Sequence, residues 1–451
     1  MIKKIIKILS IIFLIIVIAI FYFSIFGIKT DKFNNQITNN ILKINKKIIL
    51  SLNDVNYLLN PFNLTVNIKT KNPQISLEGR NFRIKDIHTN ISLKSLISDQ
   101  FSIDDLKIKT YEIKLNNIIA LARTFQNSPK LYALNTIIKD GYVIANINLK
   151  FDERGRIKND YTIKGSVKKV KLNILNQFKL KDFNLNFEVE KNIYLLKQMN
   201  MKLNDIKITS QLIEVAKKKD SFFINGQFLS DKNDFDLKKF ESIFLNVFNE
   251  VDLKKIEFSS MNNFSFNINK KLKLKNFKVE TIIDLDQLIF NEKHLQIESY
   301  FPNFVEEIKL ENHKIIINYN KHEFDIKGEG NILLEDISDK LSYQIIKDKT
   351  NVSFNSEIKL KNNLLLIDFL DYEKKEGLSS LLSVKGVFKE NNELRFDSIN
   401  LKEKNNEISI KGLELSKSFK IIDIESFNIN YKNNKNILNN FNLRKNNLEF
   451  F

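Results

Sequence analysis

The sequence has no cysteine and no tryptophan, and little glycine (11), proline (4) or histidine (4). Without cysteine there can be no disulfide, thiolate metal site or thiol nucleophile. The histidines, His88, His294, His313 and His322, are too far apart for a helix-borne pair of zinc ligands. None of the glycine-rich phosphate loops, dinucleotide-binding fingerprints or nucleophile-elbow motifs is present. Gly328-Glu329-Gly330 lacks a third glycine and reads as a kink at a strand end. Asp284 and Asp286 could in principle share a cation, but the alternating run Ile282 to Leu288 accounts for them. His313 and His322 flank a strand pattern, Ile315 to Tyr319, and read as solvent-facing turn residues. With no marked constellation of Asp, Glu, Lys, Ser or Tyr, the expectation is a protein without catalytic residues, cofactor or metal.

Charge of one sign dominates. Basic residues number 71 against 54 acidic, giving a formal +17 and a pI of about 9.4. Only seven of the 71 are Arg, whereas planar recognition of phosphate or guanine favours Arg. Lys, Asn, Ile and Phe are all residues of A/T-rich codons, so base composition explains much of the excess. No nucleic-acid partner is expected. Hydrophobic residues make up 43% of the 451, with 37 Phe, which is too apolar for a disordered chain.

One long apolar run is present. Residues 8–28 carry no charge and, at about 1.5 Å per residue, span about 30 Å as a helix, the depth of a bilayer core. The run is longer than a signal-peptide core and lacks small residues at a cleavage site. It reads as a transmembrane anchor over 1–28. Lys3, Lys4 and Lys7 before it favour a cytoplasmic N-terminus, a bias weakened by Lys29 and Lys32. Phe33, Ile37, Ile41, Ile44 and Ile48 then recur at helical spacing and predict an amphipathic stem over 29–50, lying on the membrane or packed on the first strands.

Strand patterns start near Leu64 and dominate thereafter. A β-rich region over 51–230 is interrupted by a helical pair at 117–139. Ser128-Pro129 would start its second helix and Gly141 would stop it. A second helix candidate runs from Asp236 to Glu250, and a β-meander continues over 231–451. Lys217 to Asp220 reads as a hairpin turn. The Asn-Asn pairs at 362–363, 391–392, 405–406 and 433–434 read as exposed turns, because Asn tolerates positive φ. Four apolar patterns slip by one residue: Leu272, Leu274, Phe277, Val279; Leu394, Phe396, Ile399, Leu401; Ile408, Ile410, Leu413, Leu415; and Leu106 to Leu115. A bulge at each slip would keep one face apolar and curl the sheet, and a strand ending there is the alternative.

The fold expected is therefore mainly β, an elongated, curled antiparallel meander behind the anchor. Its apolar face would form either a groove or one side of a sandwich. Candidate groove-lining residues are Val143, Ile147, Leu149, Phe151, Phe183, Leu185, Phe187, Leu394, Phe396, Ile408 and Ile410. A groove of Ile, Leu, Phe and Val would suit acyl chains, and the Lys excess would tolerate anionic head groups.

The sequence resembles the AsmA-like family of bacterial envelope proteins, a branch of the bridge-like lipid-transfer superfamily. The resemblance rests on the anchor, the segment Leu59-Asn60-Pro61-Phe62-Asn63-Leu64-Thr65-Val66, the segment Phe101-Ser102-Ile103-Asp104-Asp105-Leu106-Lys107-Ile108, the helical pair and Lys139-Asp140-Gly141-Tyr142-Val143-Ile144-Ala145. It is strongest over about 1–230 and supplies no catalytic residue. It implies a single-pass inner-membrane protein with a periplasmic β-groove that moves phospholipid toward the outer membrane. Phe450-Phe451 falls in mid-meander, as expected of a short member or a truncated product. Two alternatives fit the same residues: an assembly scaffold for outer-membrane proteins, as in TamB-like relatives, or a surface adhesin.

Overall fold

The computed structural model describes residues 2–44, 48–77, 80–93, 103–125, 129–152, 156, 158–174, 178–234, 251–269, 271, 273–292, 297–304, 307–334, 336–389, 393–417, 419–433, 435–446 and 449–450. The chain divides into two compact units. The first comprises 1–205 and 210–218, and the second 206–209 and 219–451.

The first unit opens with α1 (Ile2–Ile25), long and apolar enough to cross a membrane and with none of its span buried. There follow β1 (Ile28–Thr30), α2 (Asn34–Ile44), β2 (Ile48–Ser51), β3 (Val55–Asn60), β4 (Thr65–Lys71), β5 (Gln74–Leu77), β6 (Arg80–Ser92), β7 (Ile103–Thr110) and β8 (Ile113–Lys114). A helical pair, α3 (Leu115–Phe125) and α4 (Pro129–Ile137), precedes β9 (Ile138–Lys150), β10 (Thr162–Ile174), β11 (Phe178–Glu190), β12 (Ile193–Leu203) and β13 (Ile206–Lys217). Antiparallel pairing runs β1, β3, β4, β6, β7, β9, β10, β11, β12.

The second unit continues with β14 (Ser221–Asp234), β15 (Val251–Asn269), β16 (Leu274–Glu292), β17 (Ile308–Asn320), β18 (Glu323–Leu333), β19 (Ser338–Lys347) and β20 (Asn351–Leu360). A small hairpin, β21 (Leu365–Ile367) and β22 (Tyr372–Lys374), stands apart from the ladder. Then come β23 (Ser380–Lys389), β24 (Leu394–Glu403), β25 (Asn406–Leu415), β26 (Ile421–Asp423), β27 (Ser426–Lys432), β28 (Leu438–Asn446) and β29 (Glu449–Phe450). The main ladder is antiparallel, β14 to β20 in sequence order, then β23, β24, β25, β27 and β28. Antiparallel pairing with short turns lets each strand keep one apolar and one polar side.

The one-residue slips are bulges where strands continue through them. Asp397 is the extra residue of β24, since Lys385 pairs with Ser398 and Gly386 with Phe396. Gly412, at φ +62°, is its counterpart on β25, and Asn276, at φ +52°, marks the slip in β16. Leu272 lies outside the described residues. In 106–115 the strand ends instead, at Thr110, and β8 begins at Ile113. In the first unit, register shifts and positive φ fall at Gly141, Lys169, Asp182 and Gln198 on four neighbouring strands. Bulges aligned in this way bend strands together and increase local twist.

Several sequence expectations need correction. Strands begin well before Leu64, at β1, β2 and β3, and Leu64 itself occupies a turn at φ +51°. The stem helix is described over Asn34–Ile44, and Ile48 pairs with Leu77 in a strand. Gly141 does not stop a helix. β9 follows α4 without a gap, and Gly141 lies inside it at φ +142°, where an added Cβ would meet Leu115 Cδ1 and Val170 Cγ2 at 2.9 Å each. The turn at Lys217 to Asp220 joins β13 to β14 as expected. Asn405 is in a turn, but Asn406 starts β25, and Asn363 is wholly buried in its connection. Ser128, the helix candidate Asp236 to Glu250, the pair at 391–392 and Asn434 lie outside the described residues.

Candidate functional site

The strand registers sort side chains onto two faces. In the first unit a row crosses seven strands on one face: Thr70, Ile87, Ile108, Ile147, Ile163, Val189 and Tyr194. A neighbouring row holds Ala145, Gly165, Phe187 and Leu196, and another Val143, Val167 and Leu185. One residue along, the opposite face reads Lys69, His88, Lys107, Asn148, Thr162 and Glu190. There Glu188 accepts hydrogen bonds from Lys164 and, at 2.7 Å, from Lys197, which together lower its pKa to about 2. Acid and base thus pair across strands on the wet side, and no such pair occupies the apolar rows.

Among the sequence candidates, Val143, Ile147, Leu149, Phe183, Leu185 and Phe187 come together on this face. Ile147 pairs with Ile108 and Ile163, Leu149 with Leu106, and Phe183 with Val170. Phe151 lies just past the end of β9 and is half-buried, its backbone N–H donating to Asp104 O. Burial is uneven. Val143 and Leu185 are covered at the end where α3 packs on β9, alongside buried Ile119 and Val170. Ile147, Leu149, Phe183 and Phe187 remain half-buried.

In the second unit the corresponding row is Thr281, Ile317, Ile326, Ile345, Phe354, Gly386, Phe396 and Leu413. Six rings adjoin it from β14 to β18. Phe228, Phe264, Phe266, Phe277, Tyr319 and Phe324 follow one another at centroid separations of 4.9, 5.9, 6.0, 5.6 and 4.6 Å. Leu394 and Phe396 lie on this face, opposite Phe388 and Gly386, and both are half-buried. Ile410 pairs with Ile399 and Phe427.

Ile408 has a different setting. It joins Leu360, Leu401 and Tyr431 in a buried cluster with Leu365 and Tyr372, which come from the β21–β22 hairpin. That hairpin therefore caps one end of the apolar face. Its footing is polar. Asp339, 3% exposed, accepts from the backbone N–H groups of Lys361, Asn362 and Asn363 at 2.9, 3.0 and 3.2 Å. Lys374, fully buried, donates to the carbonyls of Lys361 at 2.9 Å and Asn363 at 2.5 Å, and burial lowers its pKa. Tyr372 donates to Glu403 at 2.6 Å, and burial raises the phenol's pKa. These contacts satisfy most of the polar groups that the cap buries, which holds it closed. The sequence reading missed this cap. Its signal was the run Leu364 to Ile367, four apolar residues without alternation directly after Asn362-Asn363.

The polar candidates do not assemble a reactive site. His313 is not a turn residue. It is 1% exposed in β17, opposite Leu285, on the face of Ile315, and the bulge at Asn312 (φ +51°) brings Leu310 back to that same face. Its Nε2–H donates to Asn331 O at 2.8 Å, and burial lowers its pKa, with Lys340 adding to the effect. Gly328 and Gly330 are interior to β18 rather than at a strand end. An added Cβ would lie 2.3 Å from the Tyr343 ring at one and from the His313 ring at the other, so their absent side chains make room for those rings. Asp286 is paired with Lys232 at 3.1 Å, and Asp284 sits opposite Lys314 in register. His322 occupies the β17–β18 turn.

Comparison of the chain with family models, curated proteins and solved structures finds no match.

Proposed function

We propose that the protein is a membrane-anchored lipid-transfer protein of the bacterial envelope, holding phospholipid acyl chains on the apolar faces of its sheet. The observation that carries this reading is the asymmetry of the two faces. Uncharged rows cross seven strands in the first unit and eight in the second, while the reverse side bears Lys–Glu pairs. At about 4.8 Å per strand, seven strands span about 30 Å, twice the length of one leaflet's acyl layer. In this reading the half-buried rows curl into a groove, and the α3–α4 pair and the β21–β22 cap close parts of it.

The energetics suit a carrier rather than a permanent site. Covering what remains accessible of one half-buried Ile or Phe gains about 0.5 kcal/mol. A dozen such side chains give about 6 kcal/mol before ordering costs, which is weaker than micromolar binding. An acyl chain held that way can exchange. α1 anchors the protein in the inner membrane, with Lys3, Lys4 and Lys7 cytoplasmic and the strands periplasmic. The resemblance to AsmA-like proteins points to phospholipid as cargo and the outer membrane as its destination.

Peptide-mapping mass spectrometry of the full chain, crosslinked in its membranes to phospholipid bearing a photoactivatable acyl chain and counting only adducts outside α1, tests this. Adducts on the apolar rows support the reading. No adduct there in protein with an intact strand signal overturns it.

A further inference from the structure

The hairpin β3–β4 is uncharged on either side of an exposed apolar turn. From Val55 to Ile68 it has no charged residue, in a chain of which 28% is charged. Its turn, Pro61 to Leu64, exposes two large apolar side chains: Phe62 is 94% exposed and Leu64 63%. The turn is built rather than loose. Asn60 Oδ1 accepts from the backbone N–H groups of Phe62 and Asn63, each at 3.2 Å, and Pro61 fixes its own φ. Leu64 sits at φ +51°, a conformation a branched side chain adopts at a cost, and one that local strain at working sites often shows.

The turn's position says what it meets. β1 leaves α1 after Phe26 and Gly27 and pairs with β3, Ile28 opposite Tyr57 and Thr30 opposite Val55. Because the pairing is antiparallel, β3 runs back toward α1 as it proceeds from Tyr57 to Asn60. Its Leu58 Cγ comes within 3.1 Å of where a Cβ on Gly27 would lie, and α1 packs against β3. The turn follows at the edge of the unit from which α1 emerges. Tyr22 in the last turn of α1 and Phe26 just past its end form an aromatic pair, with ring centroids 5.2 Å apart, of the kind found at membrane surfaces.

We infer that the Pro61–Leu64 turn inserts Phe62 and Leu64 into the interfacial layer of the bilayer that α1 spans. With α1 it makes two points of attachment, which would restrict how the first unit tilts on its anchor. This rests on α1 being transmembrane, and the test separates the two claims.

The absence of cysteine allows single labels. Asn63→Cys, Phe13→Cys and Glu112→Cys would each carry an environment-sensitive nitrobenzoxadiazole label on the full chain. Phe13 lies mid-way along α1, and Glu112 lies at the opposite edge of the sheet from the turn. The proteins would be reconstituted in phosphatidylcholine vesicles containing lipid spin-labelled at a shallow or a deep acyl position. The label at 63 should be quenched at least twofold by the shallow probe and less by the deep one, the label at 13 mainly by the deep probe, and the label at 112 by neither. A quenched label at 13 with an unquenched one at 63 overturns the insertion while leaving the anchor standing. No quenching at either removes the anchor and the insertion with it.

Discussion

Placing the same aspartate at two positions on the apolar face should give opposite outcomes. Ile147 is half-buried in the middle of a row, whereas Ile408 is 8% exposed beneath Leu365 and Tyr372. At 147 the substitution loses about 1–2 kcal/mol of apolar burial, and the carboxylate can turn toward the accessible side and stay hydrated. At 408 the carboxylate has no such route. Full burial raises a carboxyl pKa by about 3–5 units, so at neutral pH the group must be protonated on folding at a cost of about 4 kcal/mol, to which about 2 kcal/mol of lost Ile burial is added. That sum is comparable to the whole stability of an ordinary domain, about 5–15 kcal/mol. Ile147→Asp should therefore keep the wild-type β-sheet circular dichroism and a urea midpoint only slightly lowered, while its bound lipid falls. Ile408→Asp should lose the folded baseline of the second unit. If Ile147→Asp unfolds as Ile408→Asp does, the central row is covered by close packing and the face does not hold lipid. If it folds and keeps all its lipid, the cargo lies elsewhere.

Three further outcomes follow from particular contacts. Tyr372→Phe removes the donor to buried Glu403 and should destabilise the second unit by about 2 kcal/mol in urea titration, whereas adding Glu403→Gln should restore part of that loss; an unchanged midpoint in the single variant would contradict the role given to this bond. His313 is held neutral by burial, so the unfolded chain binds its proton more readily; the second unit's stability should be complete above about pH 6.5 and fall as pH drops through that value. Replacing His313 with Leu should flatten that slope, and a slope unchanged in the variant would assign the effect to other groups. Gly330→Val should force the His313 ring out of place and cost about 1–3 kcal/mol in thermal or urea unfolding, and a neutral result would mean that the ring moves freely.

Much of the β architecture was legible because period-2 alternation is strong in Val143 to Phe151 and Phe183 to Val189, and the apolar run of α1 is unbroken. The slips around Asp397, Gly412 and Asn276 were legible for the same reason: apolar parity changes by one, and the structure answers with a bulge. His313 was misplaced because the strand was read as starting at Ile315; alternation counted two residues back puts His313 on the face of Ile315, and the strand runs on through the bulge at Asn312 to Ile308. The early strands escaped notice because β1, β2 and β3 are short and follow a helical spacing that runs on to Ile48. Gly141 looked like a helix stop because a glycine after an apolar helical stripe usually is one; here α3 and Val170 crowd the strand and leave no room for a side chain. The β21–β22 cap depends on contacts between residues about 30–60 apart, such as Tyr372 with Glu403 and with Tyr431, which no local pattern encodes.

The most direct test of lipid on the apolar face is photocrosslinking at adjacent residues of β11. Phe187 points into the apolar rows, and Asn186 points to the polar side, where it donates to Gln198. With benzoylphenylalanine at either position of the full chain in growing cells, irradiation and intact-protein mass spectrometry should show a phospholipid mass added at 187 and none at 186. Equal labelling at both positions, or none at 187 in folded protein, would contradict the account.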